Sequence, residues 1–471
     1  MKFWFWSTLL GLFGTMVLPA MTQAQTIEIE VNDTPIESDD YLGWTPTRGR
    51  IRQVSASVDL TVVLESTKRI PSLKNGEVSF ASFTPNAPTP SAFNPLPTLS
   101  TLLPADGTWK RFWVAGKEIS SDGKDVKILV KDSSGTILKE LAVMVRVRKN
   151  AESLSDIERG RFLDALAKVH DLNNPQGVGK NSKYLKYVKA HAEAFSFGIH
   201  GTPAFTQWHR AMILSFEREL QTFDPRVALP YWEFHSASPK LFSRKFGGVV
   251  TSSNLQVQFD LDNPIQKWAM PSLAAIESMP DLTSIPISDE KMVRAQNAST
   301  TIPFVDLDSV MAEGDHLSMR YYLENNYHND AHQYLGGWLV TAQSPRDPIF
   351  FLLHANVDRA WAKWQREKNR FDPNGTDPLT YSPVGNYPGP AVANRSRAGI
   401  YSKDTVWPWN LQGGTQGTAD SLDDWPNYSF PMPLPFANHG PDGRVHNLID
   451  YLNTHGTGKP HGVSYDDVPF K

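Results

Sequence analysis

Residues 327–364 read YHNDAHQYLGGWLVTAQSPRDPIFFLLHANVDRAWAKW and hold three of the thirteen histidines of the chain. His328 and His332 are four residues apart, so on a helix both imidazoles project from one face. Asp347-Pro348 has the form of an N-cap followed by proline at the first helical position. That pair predicts a second helix, carrying His354, Asp358 and Arg359. Two such helices bring three neutral nitrogen donors toward one point with no adjoining carboxylate ligand, which defines a metal site.

Around this stretch the 471-residue chain is long enough for two to three domains and a large core. A net charge of −4, with no long run of lysine and arginine, excludes an electrostatic footprint for nucleic acid. There is no cysteine, so thiolate metal sites, disulfides and cysteine nucleophiles are excluded. The first residues, MKFWFWSTLLGLFGTMVLPAMTQAQ, have the layout of a secretory signal: Lys2, an apolar run from Phe3 to Leu18, and Thr22-Gln23-Ala24 as cleavage site. The apolar run is shorter than the about 20 residues that a spanning helix needs. With residues 1–24 removed, the expectation is a secreted or periplasmic protein with no membrane association.

From 26 to 148 the pattern is β. Val54, Ala56, Val58, Leu60 and Val62 alternate with polar residues, as do Val126, Ile128 and Val130. Ser133-Ser134-Gly135 then turns the chain toward Leu141, Val143, Val145 and Val147. The prolines between 85 and 104 exclude regular helix there. A small antiparallel β-sandwich domain, free of histidine, is the expected result. From 149 to 471 the texture is helical and then loop-rich. Ser155 and Glu158 form a capping box before Leu163, Leu166 and Val169. His191 shares a helical face with Tyr184 and Val188, His200 sits in the turn FGIHGTP, and His209 opens the helix WHRAMILSFERELQTF. Residues 191–209 thus supply a second cluster of three histidines. The fold class expected for the whole is mainly α, with a helical core and a loop-rich C-terminal part after the β-sandwich.

A lone histidine on an apolar face is ordinarily a packed core residue, and His170, His235, His316, His439, His446, His455 and His461 are read that way. Two clusters of three are not. Di-iron and di-manganese helical sites draw on glutamates, and magnesium and calcium require oxygen. Zinc can use three histidines, but two all-histidine triads suit a pair of copper ions better. Two Cu(I) ions side by side can together pass two electrons to dioxygen, and their cationic site attracts a phenolate. The chemistry expected is oxidation of phenols, not hydrolysis.

The strings IHGTPAFTQWHR, LPYWEF, YHNDAH and DPIFFLLHANVDRAWAKW, with VWPWN at 406–410, resemble those of the tyrosinases, the type 3 copper or polyphenol oxidases. The resemblance spans about residues 150–410 and implies a four-helix bundle enclosing two copper ions. It implies His191, His200 and His209 as ligands of one copper, with His170 as the alternative to His191, and His328, His332 and His354 as ligands of the other. It also implies dioxygen and a small phenol as partners, with ortho-hydroxylation of monophenols, oxidation of catechols to ortho-quinones, or both. Catechol oxidation alone, or reversible oxygen binding as in hemocyanins, are the alternatives. The family usually has Phe-Leu-Pro-Trp-His-Arg where this chain has FTQWHR, and often a histidine where this chain has Leu353. By the same resemblance, Glu324 and Asn329 hold the water that takes the phenolic proton. Phe350 forms an aromatic wall, and Gln333 with the Val340–Ala342 loop, including Thr341 and Ala342, lines the entrance and sets substrate choice. Asp358 and Arg359 are expected to orient imidazoles or pair with nearby charges.

Overall fold

The computed structural model describes residues 26–31, 40–372 apart from 55, 87–88, 197, 252–253, 280–284, 287 and 304–305, and then 406–409, 432–435, 445–455 and 462–470. The signal sequence proposed at 1–24, Asn410, His439 and His461 lie outside these residues. No helix among the described residues is long and apolar enough to cross a membrane.

Among the described residues, nine strands occupy the first part of the chain. β1 (Thr26–Val31), β3 (Thr47–Val54), β5 (Glu77–Ser82) and β7 (Lys110–Glu118) form one sheet in the order β1-β3-β7-β5. β2 (Tyr41–Leu42), β4 (Leu60–Ser66), β6 (Thr98–Leu103), β8 (Val126–Lys131) and β9 (Ile137–Val145) form a second, in the order β2-β9-β8-β4-β6. Alternate residues of both sheets, Ile29 and Ile51 from one and Leu64 and Ile128 from the other, meet in a single apolar core. Two details differ from the sequence reading. The short strand β2 runs parallel to β9, so the pairing is not wholly antiparallel. The alternating run Val54–Val62 is broken by a turn between β3 and β4, and Val58 faces solvent. Alternation continued through that turn because period two does not register where a ladder stops.

The remainder is largely helical: α1 (Asp156–Val169), α2 (Leu185–Phe195), α3 (Ala204–Gln221), α4 (Leu273–Glu277), α5 (Leu307–Ala312), α6 (His316–Tyr322), α7 (Asn329–Leu335), α8 (Ile349–Lys368) and α9 (Val445–Ile449). Two ribbons pair Val249–Val250 with Val257–Gln258 and Ala269–Met270 with Glu290–Lys291. The whole is therefore a chain of helices and several sheets. The Ser155–Glu158 capping box is present. α3 begins at Ala204, five residues before His209, because Thr202 Oγ1 accepts from Ala204 N–H (3.2 Å) and Pro203 precedes the first turn. α8 starts one residue later than the sequence suggests, after Pro348, with Asp347 Oδ1 accepting from Ile349 N–H at 2.9 Å.

Arg148, directly after the last strand, joins the sheets to the helices. Its guanidinium donates in a fork to Glu217 of α3 (3.1 and 2.8 Å), to Asp358 of α8 (3.2 Å) and to the Tyr465 hydroxyl (2.7 Å). Its own backbone N–H donates to Ser464 O, and its carbonyl accepts from Asp466 N–H. Removing one member of a buried ion cluster strands the others in low dielectric. Arg148→Met is therefore expected to lower the unfolding free energy by about 3–5 kcal/mol in a urea titration; a loss within experimental error of zero would contradict this role.

Candidate metal centre

Four helical segments and one turn carry the six histidines of the two clusters. α2 supplies His191, the turn before α3 supplies His200, and α3 supplies His209. The segment running into α7 supplies His328 and His332, and α8 supplies His354. The ring nitrogens of His191, His200 and His209 lie within 4.8 Å of one another, and so do those of His328, His332 and His354. The triads abut: the rings of His209 and His354 stack at 4.2 Å and 8°, and those of His200 and His328 at 5.7 Å and 30°. His170, the alternative to His191, lies elsewhere. Its Nδ1 meets Ser182 Oγ and its Nε2 the Ala269 carbonyl, both at 2.7 Å, so it is a satisfied core residue.

For five of the six triad rings, which nitrogen is bare follows from its partners. A carbonyl can only accept, so a ring nitrogen bonded to one carries the proton and a neutral ring keeps its lone pair on the other. His191 Nδ1 donates to Ala342 O (2.6 Å), His209 Nδ1 to Phe205 O (2.7 Å) and His332 Nδ1 to Leu339 O (2.7 Å). His200 Nδ1 donates to the Glu324 carboxylate at 3.2 Å, and His328 Nδ1 to Asn329 Oδ1 at 3.0 Å. The Nε2 atoms are thereby turned inward. His191 and His200 hold theirs 3.4 Å apart, and His354 holds its own 3.3 Å from that of His328 and 3.4 Å from that of His332. Buried His209 Nε2 has no hydrogen-bond partner. Opposed lone pairs repel unless a cation sits between them. Imidazole–metal bonds of about 2.0–2.1 Å at tetrahedral angles place donor nitrogens roughly 3.3 Å apart, which is the spacing of these three pairs. The donor set is all imidazole, which suits copper. Burial holds His191, His209, His328 and His354 well below the ordinary imidazole range and His332 down at about 4, so these lone pairs stay available at neutral pH.

His328 does not sit on a plain α-helix. Leu323–His328 forms a π turn, a device that widens a helix by one residue and recurs at functional sites. It brings Glu324 under the other triad. Glu324 is buried and accepts from Gly201 N–H (2.7 Å) as well as from His200, while its second oxygen pairs with Arg320 at 2.7 Å. The carboxylate thus spans from one triad's helix to the other triad's turn. Asn329 is half-buried, with its carbonyl oxygen on His328.

The remaining predicted residues fall around this centre. Phe350 is fully buried, with its ring 5.0 Å from that of His191 and 4.2 Å from that of His354, so it packs behind both triads. Gln333 is exposed on α7, Thr341 is half-buried, and Ala342 meets the centre through its carbonyl. Asp358 and Arg359 touch no imidazole among the described contacts; they pair with charges. Asp358 accepts from Arg148, Arg210 and Tyr465, and Arg359 donates to Glu233, Asp467 and Asn356. Sequence reasoning missed three contributors. Arg320 was readable as an i,i+4 partner of Glu324. Phe195, one turn after His191, was also readable: its ring is 45% exposed yet 5.0 Å from that of His200. The carbonyls of Phe205, Leu339 and Ala342 had no signal at all, because every residue carries one.

Two abutting triads of inward-facing, carboxylate-free imidazoles define a histidine-only dicopper protein. Comparison with known proteins narrows the class. The sequence pattern described as the common central domain of tyrosinase matches residues 163–367. The tyrosinase of Streptomyces antibioticus is 30% identical over 303 residues, covering 60% of this chain and 98% of that protein. The Streptomyces glaucescens tyrosinase is 29% identical with the same coverage. Hemocyanin 2 of Megathura crenulata is 28% identical over 230 residues, 46% of this chain but 6% of that protein. The chain belongs to the tyrosinase family.

The buried imidazoles set a pH response. Burial holds His170 down at about 4 and His316 at about 3, against 6.5 when unfolded. The unfolded chain therefore takes up these protons first as pH falls, so stability is complete above 6.5 and is lost on acidification toward 4. Urea titrations of metal-free protein between pH 6.5 and 5 are expected to show a loss steeper than the about 1.4 kcal/mol per pH unit of a single histidine. A flat profile would show that the rings are not held neutral by burial.

Proposed function

We propose that this protein oxidises small phenols with dioxygen, hydroxylating monophenols at the ortho position, oxidising catechols to ortho-quinones, or both. His191, His200 and His209 would hold one copper, and His328, His332 and His354 the other. The observation that carries this reading is the pair of all-imidazole triads, each with its ring nitrogens within 4.8 Å of one another and with Nε2 pairs as close as 3.3 and 3.4 Å. When bound, a copper pair supplies two-electron chemistry toward dioxygen and an electropositive seat for a phenolate.

The protein's own groups do the rest. Nδ1 donation to Ala342, Phe205 and Leu339 fixes each ring's tautomer and aim. Phe350 backs both triads and keeps water from behind them. The exposed ring of Phe195 beside His200 and the exposed Val340 flank the approach, with Gln333, Thr341 and Ala342 lining the second side. Glu324, paired with Arg320, and Asn329, anchored on His328, are the polar groups placed to hold a water that receives the phenolic proton. The core around the triads is proposed to be the family's four-helix bundle. Residues 1–24 are proposed as an export signal, 26–148 as a β-sandwich domain, and 149–471 as the copper domain, in a protein working outside the cytoplasm.

Copper-reconstituted protein is expected to hold two coppers per chain and to consume oxygen with both a monophenol and a catechol. Asn329→Ala should lower the monophenol rate on the order of 10²-fold more than the catechol rate. Two bound coppers with no oxygen uptake on either substrate would replace the oxidase by a reversible oxygen carrier. Equal loss on both substrates would remove the proton-handling role of Asn329.

A further inference from the structure

One short loop touches a ligand histidine from each triad. Gly336–Gln343 connects α7 to the turn before α8. Its Leu339 carbonyl accepts from His332 Nδ1 at 2.7 Å, and its Ala342 carbonyl, three residues on, accepts from His191 Nδ1 at 2.6 Å. His332 belongs to one triad and His191 to the other, 151 residues from Ala342 in sequence. Among the described hydrogen bonds Glu324 also meets both triads, its carboxylate on His200 and its carbonyl 3.3 Å from His328 Nδ1, but only this loop reaches both through backbone carbonyls.

The loop is built so that these carbonyls cannot drift. Gly336 and Gly337 both have φ of +61°, and a Cβ on Gly337 would overlap the Val293 carbonyl. Trp338 N–H donates to that same carbonyl at 3.2 Å, and the Arg346 guanidinium lies 4.1 Å over the Trp338 ring. Thr341 Oγ1 bonds Trp338 O at 3.0 Å and Gln343 N–H at 3.2 Å, closing the turn on itself. Buried Gln343 reaches out to Leu273 O and Glu277, both at 3.3 Å. Two exposed or half-exposed residues, Val340 and Thr341, lie between the two carbonyls.

We infer that the Gly336–Gln343 loop is a shared positioning element, through which one backbone segment fixes the aim of both metal triads at once. The inference rests on the dicopper reading and deepens it. Each carbonyl pins the proton on Nδ1 and so presents Nε2 to the metal. Because both act from one rigid turn, a displacement of that turn reorients His191 and His332 together. The two sites should therefore weaken in step, although Gly337 touches neither histidine. Contact with Val340 or Thr341 at the surface would be felt by both sites for the same reason.

The test is copper binding to metal-free protein in chelator-buffered solution, with copper per chain and the Cu(II) EPR signal read together. Wild type is expected to load two coppers as a magnetically coupled, EPR-silent pair. Gly337→Ala, which has to move the loop, is expected to lower affinity at both sites about tenfold or more and to give EPR-visible isolated Cu(II). Gln343→Ala, which cuts the tether to Leu273 without backbone strain, should do the same more weakly. It carries the test alone if circular dichroism shows Gly337→Ala unfolded. Folded variants that keep wild-type affinity and EPR silence overturn the inference, as does loss confined to one copper. A wild type that fails to load two coppers overturns the dicopper reading itself, and with it the inference.

Discussion

Holding six imidazoles together, five of them buried and His200 partly exposed, with a ring nitrogen of each left bare, is the constraint on which the rest of this structure depends. A neutral imidazole has one donor and one acceptor. To spend the acceptor on a metal, the donor has to be satisfied inside the protein. Carbonyls at 205, 339 and 342, the Glu324 carboxylate and the Asn329 amide oxygen meet that need for five of the six rings. His354 is the exception. Its Nδ1 has no partner, and it is held by the stacked ring of His209 and by Phe350. The backbone is shaped around these demands: a π turn before α7, two left-handed glycines after it, and a helix α3 that starts early enough for Phe205 O to reach His209.

A second frame, made of charge, lies outside the first. Arg210 follows His209, and Asp358 lies one turn beyond His354; the two are ion-paired across α3 and α8. That bond joins the very helices whose histidines stack. Arg148 and Glu217 extend it toward the sheets, and Tyr465 toward the C-terminal segment. Buried ion pairs of this kind contribute little net stability against well-packed apolar residues, but they tolerate few alternative arrangements. Here they fix the register of two helices to which a metal geometry is sensitive.

Much of the centre was legible in the sequence because histidine is rare and its spacing informative. The i,i+4 pair His328/His332, the Asp347-Pro348 helix start and the cluster 191–209 each carried a local signal, and the structure brings all six rings together. What was not legible is non-local or carried by the backbone. The reach of Ala342 O across to His191 has no side-chain signature. The π turn is invisible because LENNYHNDAH scans equally well as α-helix. The parallel pairing of β2 with β9 spans too few residues to leave a pattern. The Val54–Val62 run shows the opposite failure, a pattern that persists where no strand does. Glu324 was singled out by its place before His328, and its carbonyl does meet His328 Nδ1, yet its carboxylate goes to His200, on the other triad.

The segment 464–467 ties distant parts of the chain together. Trp44 donates to Ser464 Oγ and Tyr465 O, Arg148 and Asp358 bond the Tyr465 hydroxyl, and Arg359 pairs with Asp467. Trp44 lies between β2 and β3, Arg148 three residues after β9, and Asp358 and Arg359 on α8, all far from residues 464–467 in sequence. Until that segment is made and docks, cations at 148 and 359 lack part of their neutralising shell, and the helices bearing His209 and His354 lack their outer brace. The outer brace of the metal centre is thus closed by a contact between residues 317 apart in sequence, so the register of α3 and α8 depends on a long loop having closed.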